Sequence, residues 1–204
     1  ATDTTFAGAT LATTGALSLS GTGTTTLTSV GTIGGAETVS AGTLLVNGAQ
    51  TVTGALAYTT TGATTVTAPL TTTAGSGGTV TVTHGGLLTL AAAGDISADG
   101  AVTQAGAGAV STAGDITTTN DAVSLATAVT LTGPVAITTG AGAGDITVAS
   151  TLDGGQALTL TAGTGNVLVS GAVGSTTPLA SLTVASATDT TFAGATLATT
   201  GALS

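Results

Sequence analysis

The chain has 204 residues with no Lys, Arg, Cys, Met or Trp, nine acidic residues and one His. Without cations there is no phosphate clamp and no basic patch, which argues against nucleic acid and anionic lipid as partners. Without amines or thiols, Schiff-base and thiol chemistry have no nucleophile, and Cys-based metal sites have no ligand. Leu, Val and Ile together number 43, and with two Phe they lie just above the apolar content below which disorder is expected.

Along the chain the aliphatic residues alternate with Thr or Ser. Leu17 and Leu19 do so in ALSLS (16–20), Val80 and Val82 in TVTVT (79–83), Leu88 and Leu90 in LLTL (87–90), and Leu158 and Leu160 in ALTLT (157–161). Period two over a few residues, bounded by Gly, predicts short strands with one buried face. Stretches such as TTTAGSGG (71–78) and GAGAG (140–144) predict loops or bulges within one continuous body, with no domain boundary. A chain this poor in large side chains cannot fill a wide sandwich, which normally has aromatic anchors. It suits a thin core, so the expected fold is all-β, a parallel β-helix in one elongated rod.

Residues 1–18, ATDTTFAGATLATTGALS, recur unchanged at 187–204. The chain therefore reads as one 186-residue unit, 1–186, followed by the start of an identical one, 187–204. Inside the unit Gly94-Asp95-Ile, Gly114-Asp115-Ile and Gly144-Asp145-Ile recur, followed by Gly165-Asn166-Val, at spacings of 20, 30 and 21 residues. LTLAAAGDI (88–96) also resembles LTLTAGTGNV (158–167). A coil of roughly 20 residues follows, the spacing of 30 being a coil with a longer loop. Nine such coils at ~4.8 Å would make a unit about 45 Å long. Each Gly-Asp or Gly-Asn is expected at a corner, where Gly or Asn takes a left-handed conformation. Over residues 1–80 the register is not legible.

QALTLTAGTGNVLVSGAVGSTTPLASLTV (156–184) and TAGDITTTNDAVSLATAVTLTGPVAITT (112–139) resemble the repeats of giant bacterial exoproteins of the filamentous-haemagglutinin-like, two-partner-secretion type. The clear likeness covers about 88–184; the N-terminal secretion domain is absent, and the lack of Lys and Arg is extreme for such proteins. The resemblance implies a right-handed parallel β-helix, secreted to the bacterial cell surface and displayed as a fibre. It supplies no binding residue. The expected role is a structural, protease-resistant filament or stalk, its partner being itself, end to end and laterally. The alternative is an adhesive module binding glycans or neighbouring fibres along its sides. No enzyme activity is expected: β-helical lyases and hydrolases need clustered acids, which are missing here. No apolar run is long enough to span a membrane.

Carboxylates are the remaining candidates for chemistry. DISADG (95–100) places Asp95, Ser97 and Asp99 at alternate positions before Gly100, as a calcium loop opens. The closing acid would fall at position 106, which is Gly, one residue beyond Ala105. Solvated turn aspartate is the stronger reading, and no other cofactor is expected. Asp115, Asn120 and Asp121 form a second acidic turn, and Asp153-Gly154-Gly155 a simple one. His84, with no acid near it in sequence, reads as a strand-end residue. Thr-X-Thr triplets with apolar X at 26–28, 51–53, 65–67, 79–83, 130–132 and 159–161 raise a minor alternative, ice binding by ranked hydroxyls. Their irregular sequence spacing counts against it.

Overall fold

A computed structural model describes residues 2–204. The chain winds as a three-sided parallel β-solenoid, each coil laying one short strand on each side. The first side is an eight-stranded sheet from Thr4–Phe6 to Leu152–Asp153. The second is nine-stranded, from Thr10–Thr13 to Ser181–Ser186, and the third nine-stranded, from Leu17–Ser20 to Thr190–Phe192. Among the described residues the only helical segment is the 3-10 turn Gly75–Gly77, inside the predicted 71–78 loop. Among the described residues no helix is long and apolar enough to cross a membrane.

Alternation produces this shape directly. In Val80–His84 the residues Val80, Val82 and His84 point inward while Thr81 and Thr83 face outward. Leu88 and Leu90, and Leu158 and Leu160, do the same. Each inward residue stacks on its counterpart one coil away: Leu56 on Val80 and Val80 on Val102, Ile96 on Ile116 and Ile116 on Ile137. Fully burying each such side chain is worth roughly 1.5–3 kcal/mol, and the benefit repeats coil by coil. Backbone hydrogen bonds run along the axis, as in Leu56 N to Thr79 O and Val80 N to Ala101 O, both near 2.9 Å. Strand edges are thus consumed everywhere except at the two ends.

Coil length varies, while register is kept along nearly the whole rod. Thr64 pairs with Leu88, 24 residues on, whereas Val110 pairs with Val129, only 19 on. Corner loops absorb the difference. The register runs from Thr4 through the region where the sequence hides it, and it slips by one residue at a bulge where Leu160 pairs with Val184 but Thr161 with Ser186.

Two expectations are corrected. Between Gly114 and Gly144 there is no long-looped coil: Ile116 lies on the second side and Ile146 on the third, so the motif has moved one coil and one further side. The four Gly-Asx glycines are also not left-handed; positive φ occurs at Asn120 and at Gly75, Gly106, Gly140, Gly154, Gly163 and Gly174. They are glycines because corners stack closely. A Cβ on Gly114 would lie 2.8 Å from Gly94 O, one on Gly144 would lie 2.5 Å from Asp121 O, and one on Gly165 would collide with Gly144 O. Tyr58 is the one aromatic ring fully buried in the core among the described residues.

Candidate functional site

The aspartates form a set of corner brackets. Asp95 Oδ1 accepts Asp115 N–H at 2.8 Å, and Asp115 Oδ1 accepts Ala136 N–H at 2.7 Å. Asp145 Oδ1 accepts both the backbone and the side-chain N–H of Asn166, and Asp153 Oδ1 accepts Thr176 and Thr177 N–H. Asp3 Oδ1 accepts Thr24 N–H. Each reaches from a corner or strand end to an amide at a corner or near the start of a strand in the following coil, supplying an acceptor where the chain enters or leaves the ladder. Asn120, left-handed at φ 65°, does likewise for Gly142 N–H. Asp121 uses its main-chain carbonyl instead, accepting the Thr118 hydroxyl.

The candidate calcium ligands are not brought together. Ile96 and Ala98 are both buried, so Ile96–Ala98 is extended and Asp95 and Asp99 stand at its opposite ends, roughly 13 Å apart along the strand. Their carboxylates also face opposite ways along the axis. Asp95 serves the following coil, while Asp99 Oδ2 accepts Gly75 N–H at 2.7 Å from the preceding one. Ser97 lies between them on the outer surface. Among the described residues no group of three or more His, Asp or Glu side chains is arranged to hold a metal ion.

Polar residues that pattern reading passed over occupy the interior. Glu37 is fully buried on the third side, stacked between Leu17 and Leu56, and Tyr58 donates its hydroxyl to Glu37 Oε1 at 3.2 Å. Burial pushes the Glu37 carboxyl up to about 7, with the Tyr58 bond acting in the opposite direction. The Tyr58 hydroxyl is driven well above its ordinary value, by burial first and then by Glu37. Buried Gln50 donates to Ser29 O and Gly48 O, and its side chain fills the space where a Cβ on Gly31 would stand. Glu37 Oε2 and Gln50 Oε1 have no protein partner.

His84 also points inward, fully buried at the end of Val80–His84. Gln104 Oε1 accepts Ala126 and Thr127 N–H, which fixes the amide so that Gln104 Nε2 faces His84 Nε2 at 2.7 Å. His84 Nε2 is then an acceptor and Nδ1–H donates to Gly86 O at 2.6 Å. This neutral tautomer, ringed by satisfied partners, ties three successive coils. The alternation did hold the signal for these groups: Glu37 with Val39, Gln50 with Val52 and Gln104 with Val102 all fall on the inward phase.

Between the sheets there is little space. The gap among Val82, Leu88, Ile96, Val110, Leu125 and their neighbours is about 20 Å³ and mainly apolar, room for no more than about one water. What remains for partners is the outside and the ends. Outward hydroxyls stack in columns, of which Thr32, Thr51, Thr71, Ser97, Thr117, Thr138, Thr161 and Ser186 on the second side is the longest run, through eight coils. The Thr-X-Thr triplets themselves are distributed over all three sides. No protein family matches the chain, and neither a curated protein nor a solved structure is similar to it.

Proposed function

We propose that this chain is a unit of a structural, fibre-forming rod in a large secreted surface or matrix protein. One observation carries the reading. Residues 187–204, identical to 1–18, continue the three-sided ladder without a break: Val167–Val169 pairs in register with Thr190–Phe192, and single bridges join Val173 to Leu197 and Leu182 to Leu203. A unit that begins again on its own last coil needs no cap between copies, and stacked repeats gain stability from each neighbour. The composition supports durability. There is no Lys or Arg for trypsin-like proteases and no Cys or Met for oxidants. Carboxylates committed to corner amides and a filled interior support a rod better than a catalyst. Cryo-electron microscopy of an array of such units tests the proposal. A rod with a ~4.8 Å coil rise is expected, and compact beads on a flexible string would sink it.

The hydroxyl columns favour a second reading, an adhesive rod that binds glycans or neighbouring fibres through its sides. Binding of the rod to a glycan array, weakened by replacing outward Thr71 and Thr117 with Ala, separates this from a passive spacer.

A further inference from the structure

The two copies of the repeated segment occupy different sides of the solenoid. Thr4–Phe6 begins the first side, whereas its twin Thr190–Phe192 ends the third. Leu11 lies on the second side, paired with Gly31, whereas its twin Leu197 is bridged to Val173 and so to Leu152 on the first. Leu17 lies on the third side, paired with Glu37, whereas its twin Leu203 is bridged to Leu182 on the second. From Thr4–Phe6 to Thr190–Phe192 the chain takes 26 steps from side to side, counting Val173 as one. Twenty-six is not a multiple of three, so one unit makes eight and two-thirds turns rather than nine.

The change of side leaves the phase of the side chains intact. Phe6 lies inward against Leu27 and Phe192 inward against Val169, both packed on the core. The seat beneath the second copy is fully bonded: Val167 N–H to Asp189 O, Ala193 N–H to Val169 O, Val173 N–H to Thr196 O and Leu182 N–H to Ala202 O, all at 2.8–3.0 Å. The first copy meets the coil above it just as completely, Thr28 N–H to Phe6 O and Leu17 N–H to Ala36 O. The same eighteen residues therefore show both halves of a finished junction. Shorter matches move between sides too. Leu88–Leu90 lies on the first side and the matching Leu158 and Leu160 on the second, while Gly-Asx corners precede second-side strands at Ile96 and Ile116 and third-side strands at Ile146 and Val167.

We infer that the end surface built by Val167–Val169, Val173 and Ser181–Ser186 is a docking face for the first eighteen residues of the next unit, turned by one side. A tandem array is then a three-fold screw. Each unit advances about 42 Å and steps back by one side, and any given side recurs only after three units, about 125 Å. No lateral feature forms a continuous stripe along the rod; each is dealt to three sides in turn. The inference rests on the rod reading above.

Two experiments test it. In the 204-residue chain, Leu168→Cys with Thr191→Cys places thiols on two exposed register partners of the third side. A short bis-maleimide is expected to join them within one chain, and failure to join them overturns the proposed seat. In an array of three units, Thr51→Cys in each unit is labelled with maleimide–gold and imaged by cryo-electron microscopy, beside an unlabelled array. Labels about 120° apart in azimuth and about 42 Å apart along the axis are expected. Labels in one line along one side overturn the screw while leaving the rod standing. An unlabelled array without a ~4.8 Å rise overturns the rod itself.

Discussion

The Tyr58 hydroxyl donates to Glu37 Oε1 across one coil, 21 residues apart in sequence, and both side chains are fully buried. Glu37 is the only Glu in the chain, and it sits in a column of aliphatics with its second oxygen unpartnered. Its carboxyl, raised from 4.5 to about 7, binds a proton more tightly folded than unfolded. The stability this group contributes is complete below about pH 4.5, declines as pH rises, and is lost once pH passes about 7. The swing is about 3 kcal/mol. Urea midpoints should fall across that window relative to Glu37→Gln, and run parallel to it above pH 7.

Replacing Asp115 with Ala leaves Ala136 N–H without its corner acceptor. Chemical denaturation should show a loss of about 1 kcal/mol. Asp115→Asn, which retains an acceptor oxygen, should recover most of it.

Gly114→Ala should cost about 1–3 kcal/mol by overpacking, because its Cβ would meet the carbonyls of Ala91 and Gly94 at 2.8 Å. Gly15 has nothing within 4 Å and no positive φ. Gly15→Ala should leave the melting temperature unchanged or slightly raised, through the lower entropy of the unfolded chain.

Gln104→Ala removes the partner of His84 Nε2 and the side-chain acceptor for Ala126 and Thr127 N–H. A loss of about 1–3 kcal/mol is expected, chiefly from the stranded His84 Nε2, since Ala126 is exposed and keeps the Gln104 main-chain carbonyl as acceptor. In the unaltered protein, nitrogen NMR should find the His84 proton on Nδ1, and a proton on Nε2 would overturn the assignment of the network.

Much of this molecule is written locally. The alternation around Val80 and Val82 assigns strands and their inward phase, because period two leaves a strand only two faces. The Gly-Asp corners are legible as punctuation, and the same inward phase marks Glu37, Gln50 and Gln104 as buried once the strand is granted. What the corners are for was not legible. Gly114 is glycine because Gly94 lies beneath it, and Asp115 faces Ala136 because a coil happens to be 21 residues long there.

Composition alone excluded phosphate clamps and thiol chemistry, and the identity of 1–18 with 187–204 made a repeat certain. Neither could say how far around the rod a repeat carries the chain. That depends on adding coils of 19 to 26 residues, and the sum is decided by corner loops whose length has no fixed sequence mark. Only stacking fixes which residue lies over which. It places Thr4 on one side of the rod and the identical Thr190 on another, and it parts Asp95 from Asp99 while joining Glu37 to Tyr58.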